Sequence, residues 1–394
     1  MNELAENFGR LKRLNWVMVV AIGILLIIGV CFIYSARFVI EERSLGVHRY
    51  VKQIGWIGLG ITVYAALAMF DYRRLGRFSW WLYGIALVLL VAVLIPGVGI
   101  KMYGAQRWLW FFGFMLQPSE LAKFAAVFVL ASMLERSGEH FGSWKSVAVV
   151  LGVVAVPVAL IIKEPDLGTS LVFLPTAFVM MFVAGVPLRI LGTLAGAGVL
   201  MVGIVLGALF LPDKLGFSEA KKEKIEKMVR LSSYQKDRIM VYFRSDVDPL
   251  GAGWNKMQSE IAVGSGGMTG KGFLKGTQNM LGFLPRSVTP TDFIFSVIAE
   301  ETGFVGSAVL LFLYGTIMLC GLHTALHARD KYGRLLCAGF VAMLFCHVFI
   351  NMAMTIGIMP ITGIPLPLLS YGGSFMVIVM SALGVIQSVY VHSK

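Results

Sequence analysis

Ten apolar runs, most of them close to twenty residues long, set the limits on what this chain can fold into. They lie roughly at 14–36, 53–70, 78–99, 118–134, 145–162, 167–186, 188–212, 293–321, 333–357 and 369–391. About twenty consecutive apolar residues match the hydrocarbon thickness of a bilayer. Within that layer only helices and closed barrels satisfy their own peptide groups. The pattern predicts an all-α integral membrane protein of about ten transmembrane helices. Only 14% of the 394 residues are charged, against about 25% in a soluble domain, which excludes a soluble fold.

The net charge of +12 falls between the apolar runs, so it points to anionic lipid head groups and not to nucleic acid. Cys31, Cys320, Cys337 and Cys346 all fall inside predicted spans, without disulfide or zinc spacing. The apolar run after Arg10 to Arg13 is too long for a signal-peptide core and reads as a retained first helix. With the N-terminus inside, thirteen Lys and Arg face the cytoplasm and seven lie in short outer loops, so both termini are expected to be cytoplasmic. Residues 213–292 then form one long extracytoplasmic loop between helices 7 and 8. Within it, Glu223–Lys227 and Glu226–Arg230 spacing predicts a surface helix over 219–230. Gly192, Gly196, Gly198 and Gly203 suit close helix packing in lipid.

Few charges lie within the spans, and those are the candidates for chemistry. Away from the span ends, Lys123 is the one Lys or Arg inside a predicted span, with Glu120 one turn before it. The pair reads equally as a structural ion pair or as a polar site beneath a head-group cavity, reached by Arg107 from the preceding loop. Gly264 to Gly272, which includes Lys271, is glycine-rich and basic but lacks the Walker A spacing. It reads as a turn or a phosphate cradle. Asp292 opens the eighth span, either as an N-cap or as a functional acid, and Glu300 and Glu301 further in need partners. His323 and His327 share a helix face but lack a third metal ligand.

Taken together, four stretches resemble the SEDS family of bacterial cell-wall proteins, its RodA branch more than its FtsW branch. The first is Gly104 to Leu109 followed by Gln117 to Lys123, and the second is Glu164 to Ser170. The third runs from Asp248 through Gly264-Ser265-Gly266-Gly267 and Gly276-Thr277-Gln278 to Thr291-Asp292-Phe293. The fourth is Gly363 to Ser374. They occur in family order along nearly the whole chain, which reads as a single domain over 1–394. One departure is a loop two residues longer before Thr291, with Pro290 where the family has a histidine.

The resemblance implies a peptidoglycan glycosyltransferase that polymerises lipid II into β-1,4 glycan at the outer face of the cytoplasmic membrane, for elongation and rod shape. Because an α-linked donor gives a β-linked product, a single displacement and one general base suffice. Asp292 is the expected base. Arg107, Lys123, Arg238 and Lys271 are the candidates to meet the departing diphosphate, with Glu120 in the same polar network. A divalent cation (Mg or Mn) is a candidate helper. The expected partners are lipid II, the growing lipid-linked glycan and a class B penicillin-binding protein as transpeptidase. The rival readings are a lipid-linked-sugar flippase, an FtsW-type division polymerase and a non-enzymatic scaffold.

Overall fold

The computed structural model describes residues 13–41, 48–102, 105–111, 113–136, 143–214, 233–243, 248, 251–285 and 288–393. The surface helix expected over 219–230 lies outside them. Each of the ten apolar runs has become a helix: α1 Trp16–Glu41, α2 Arg49–Met69, then after a short α3 Tyr72–Arg77, α4 Ser79–Leu94. Next come α5 Pro118–Arg136, α6 Trp144–Lys163, α7 Leu167–Ala184 and α8 Leu188–Lys214. The long loop carries α9 Ser233–Phe243, α10 Ala252–Ser265 and α11 Thr277–Met280, and α12 Ile294–Leu326, α13 Lys331–Thr355 and α14 Gly373–Ser393 complete the bundle.

Burial differs sharply between these helices. The apolar windows of α13 and α14 are 89% and 83% buried, whereas that of α8 is 6% buried. α13 and α14 therefore form the bundle's centre, and α8 stands at its edge. A Cβ at Gly192, Gly196, Gly198 or Gly203 would meet nothing within 4 Å. The close packing expected of those glycines is not made within the chain's described residues, because α8 has little to pack against.

Hydropathy did not announce a small antiparallel meander between α4 and α5: β1 Gly99–Met102, β2 Ala105–Phe111 and β3 Phe114–Leu116. Leu109 is its hinge, opposite Gly99 on one side and Leu116 on the other. Gln106 fixes the meander to the bundle, its amide donating to the Val93 and Ile95 carbonyls at the end of α4. Helix ends leave such carbonyls without intrahelical partners.

α12 is broken, and the glycine-rich loop mends it. Gly303 sits at φ +67°, ψ −160° inside the helix, a conformation open to glycine and to almost nothing else. Around the break, Lys271 N–H donates to the Glu300 carbonyl and Gly272 N–H to that of Glu301. In return, Phe304 and Val305 N–H groups donate to the carbonyls of Gly267 and Met268. Four bonds to the loop replace those the break removes.

Candidate functional site

Asp292 is held by its main chain before its side chain does anything. Just upstream of α12, the Pro290 carbonyl accepts from Tyr371 N–H (2.8 Å) and the Thr291 carbonyl from the Ser370 hydroxyl (2.5 Å). The Asp292 carbonyl accepts from the Asn351 amide of α13 (2.9 Å), which also reaches the Ile364 carbonyl (2.7 Å). Ser370 Oγ in turn accepts from Leu366 N–H (2.7 Å). The segment from Ile364 to Tyr371 thus closes as a clasp over Pro290 to Asp292. Pro290 lacks an N–H, and this clasp uses only its carbonyl.

The Asp292 side chain meets Arg238 at Gly363. A Cβ at Gly363 would lie 3.3 Å from Asp292 Oδ2 and 3.4 Å from Arg238 Nη1, and the backbone there has φ +75°. A glycine is required twice over, by the dihedral and by the two side chains across its bare face. Burial raises the Asp292 carboxyl above its ordinary range. The Arg238 guanidinium, the Thr291 hydroxyl and Arg107 oppose that rise, and Asp166 adds to it.

Arg107, on β2, reaches the same site from the other side. Its Nε donates to the Glu164 carbonyl (3.2 Å) and Nη2 to that of Pro165, and Nε lies 3.9 Å from Asp166 Oδ2. Asp166 caps α7, accepting from Thr169 N–H (3.1 Å) and Thr169 Oγ1 (2.8 Å), and it accepts from the Gln117 amide as well (3.2 Å). A Cβ at Gly168 would come within 2.7 Å of the Thr362 carbonyl, which brings the α7 N-terminus against the strand of chain that carries Gly363. Glu164 is buried and neither of its carboxyl oxygens has a hydrogen-bond partner. Burial first and Asp166 second push its carboxyl up to about 9, against the pull of Arg107.

The two lysine candidates are committed elsewhere. Lys123 Nζ lies 2.8 Å from Glu120 Oε1 and 2.7 Å from His347 Nε2 on α13. An ammonium has no lone pair, so His347 Nε2 is the acceptor. All three side chains are buried, beside a cavity of about 20 Å³, roughly room for one water. Lys271 Nζ is 2.6 Å from Glu300 Oε1, and the main-chain N–H groups of Lys271 and Gly272 are spent on α12. The phosphate cradle read in the glycine run is therefore a splice for a broken helix. Glu301 has partners too, accepting from Ser35 Oγ (2.5 Å) and Leu274 N–H (3.0 Å).

Of the residues singled out in the sequence, Asp292, Arg238 and Arg107 converge; the Glu120–Lys123 pair borders the site, within electrostatic reach of Asp166, and Lys271 stands apart. Glu164, Asp166, Asn351, Ser370 and Gly363 complete the site. Asn351 and His347 carried a signal: each is polar within a membrane-length apolar run, and such residues mark sites by default. Among the described residues no three His, Cys, Asp or Glu side chains converge to hold a metal ion. The described residues thus offer no ready cage for a divalent cation there.

The profile of the FtsW/RodA/SpoVE cell cycle protein family matches residues 15–394. The chain is 36% identical over 370 residues to the peptidoglycan glycosyltransferase MrdB of Escherichia coli K12, covering 94% of this chain and 93% of that one. Its fold superposes with TM-score 0.73 on a chain of a peptidoglycan synthase complex that coordinates polymerization and crosslinking, at 30% identity, covering 96% of this chain and 98% of the other. It superposes with TM-score 0.65 on the rod shape determining protein RodA of Thermus thermophilus, at 28% identity and 96% coverage of each chain.

Proposed function

The chain belongs to the FtsW/RodA/SpoVE family, and from that premise we propose that it polymerises lipid II by an inverting glycosyl transfer with Asp292 as the general base. It is a multi-pass membrane protein and a peptidoglycan glycosyltransferase of the elongation type. Relatives matched along nearly their whole length bear that activity in their names. The residue roles, the substrate and the orientation are our own reading.

One observation carries it: a carboxylate and a guanidinium share the bare face of Gly363, on a backbone clasped by Asn351 and Ser370. In the proposed step Asp292 takes the proton of the acceptor 4-hydroxyl as that oxygen bonds to the donor's C1. The C1–O bond to the diphosphate breaks with inversion, and the diphosphate leaves with its electron pair. Arg238 and Arg107 face the charge that develops on it. Guanidinium suits this work, being planar, permanently charged and able to contact two phosphate oxygens at once. Fixed charges aimed at developing charge are the largest single source of catalysis in many enzymes.

The same reading places Asp292 at the outer face of the cytoplasmic membrane, with both termini inside, which the excess of basic residues in the opposite loops supports. A class B penicillin-binding protein is the proposed partner, supported by the similarity to a chain of a synthase complex that joins polymerization to crosslinking. The test is polymerisation of labelled lipid II by purified wild type and Asp292→Asn, with the cognate penicillin-binding protein added. Glycan from wild type and none from a folded variant supports the assignment. Equal glycan from both removes Asp292 as the base, and none from either reopens the flippase and scaffold readings.

A further inference from the structure

At the end of the bundle away from Asp292, α3, α5 and the start of α13 enclose a pocket of about 440 Å³ that the glycosyl transfer does not use. The separation is large. α5 begins beside Gln117, which touches the site, and ends at Arg136, which lines the pocket. At 1.5 Å per residue that is about 28 Å.

Three arginines line this pocket, Arg73, Arg77 and Arg136, together with two acids. The charges do not cancel uniformly. Asp330 is consumed locally, accepting from the Tyr72 hydroxyl (2.7 Å), Arg73 Nε (2.6 Å) and Gly333 N–H (2.6 Å). Glu135 is exposed and next to Arg136 in sequence. Arg77 and Arg136 are exposed, and among the described residues neither has an ion-pair or hydrogen-bond partner. A second observation is independent of charge. Tyr332 lines the pocket and is 4% exposed, and its buried hydroxyl has no hydrogen-bond partner. A buried unmet hydroxyl costs about 1–3 kcal/mol, so its place on a pocket wall shared with Arg77 and Arg136 marks where an acceptor belongs. Close in sequence, Phe78, Trp80 and Trp81 are exposed, and aromatic residues of this kind settle at the head-group level of a bilayer.

We propose that this pocket binds the phosphate of an anionic phospholipid head group, with Arg77 and Arg136 on the phosphate and the Tyr332 hydroxyl donating to one of its oxygens. Basic pockets between membrane helices favour such lipids over zwitterionic ones. The occupant is a lipid and not a soluble phosphate, because Arg77 on the pocket wall is followed directly along the chain by the exposed Phe78, Trp80 and Trp81.

The test is retention of phosphatidylglycerol by purified protein, followed by native mass spectrometry during titration, with phosphatidylcholine and inorganic phosphate as competitors. Wild type is expected to retain phosphatidylglycerol and not phosphatidylcholine. The Arg77→Gln/Arg136→Gln variant should bind roughly 30-fold more weakly, at about 1 kcal/mol per arginine lost. Tyr332→Phe removes only the unmet hydroxyl, so it should keep or raise the lipid-free protein's thermal stability and still weaken retention. Equal retention by wild type and both variants, or equal retention of phosphatidylcholine, overturns the proposal. Displacement of the lipid by millimolar inorganic phosphate overturns the choice of a lipid as occupant.

Discussion

Glu164→Gln is expected to flatten the protein's loss of stability with rising pH. In the folded protein the Glu164 carboxyl is buried, has no hydrogen-bond partner, and is pushed up to about 9 by burial and by Asp166. In the unfolded chain it ionises near 4.5. The folded state therefore keeps a proton that the unfolded state releases. Because the folded pKa is the higher one, the stabilising contribution is complete below about pH 4.5 and drains away as pH climbs to about 9. The slope is about 1.4 kcal/mol per pH unit, so between pH 5 and pH 7 the wild type should lose up to about 3 kcal/mol from this group alone. Glutamine has no proton to lose, and the variant loses none of it.

The measurement is denaturation of the detergent-solubilised protein at pH 5, 7 and 8.5, for wild type and Glu164→Gln side by side. Other titrating groups cancel in the difference. A constant offset is also expected, since the amide brings buried donors of its own, so the slope of the difference is the readout. The variant should gain on wild type at each step up in pH. If the two curves run parallel from pH 5 to 8.5, Glu164 is not held protonated and the reasoning fails.

Removing the cation beside Asp292 should move its titration further up, so in Arg238→Gln the acidic limb of the polymerisation pH–rate profile should shift to higher pH. An unmoved limb with a reduced plateau would mean that Arg238 only binds substrate. Lys271→Ala leaves the carboxylate of Glu300, which is 0% exposed, without its cation and with the Gln278 N–H as its remaining donor. Breaking such a pair costs about 3–5 kcal/mol, nearer the lower figure because the Lys271 side chain is 27% exposed. Adding Glu300→Gln should recover most of that loss in the same denaturation assay. Gly363→Ala places a Cβ 3.3 Å from Asp292 Oδ2 at φ +75°, and polymerisation should fall about 10- to 100-fold in protein that still purifies as a folded monodisperse species.

The ten helices were legible because lipid imposes one rule along the whole chain, and run length reports it directly. α12 shows where that rule stops. Its predicted span runs on through Gly303, past the polar Glu300-Glu301-Thr302, while the backbone turns there and borrows partners from Gly267 and Met268. No local pattern announces that exchange, since it depends on a loop more than thirty positions upstream. The meander was hidden for a related reason: Trp108 to Phe111 is as apolar as a membrane segment but too short and too glycine-flanked to be one. Asp292 was legible as an acid at a span boundary with a family motif around it. Its neighbour Arg238 was already one of the four cation candidates, and the approach of α9 to Gly363 set it apart from Lys271.

The fate of the four cation candidates follows from what each side chain does best. A lysine ammonium is compact and suits a single buried carboxylate, and Lys123 and Lys271 each sit against one, on Glu120 and Glu300. Both carboxylates lie in membrane helices, where an unpaired charge is costly, so those lysines secure the bundle. The arginines lie outside the membrane helices, Arg107 on β2 and Arg238 on α9, where water still reaches and a charged ligand can arrive without crossing lipid. In the proposed function, a diphosphate carried on a lipid tail needs both conditions at once: its tail among the helices and its charge beside these two guanidinium groups. Asp292 stands where the two meet, one residue before Phe293 and two before α12 begins. That boundary position, more than any perturbation of its own carboxyl, suits Asp292 to take a proton from a sugar hydroxyl held at the membrane surface.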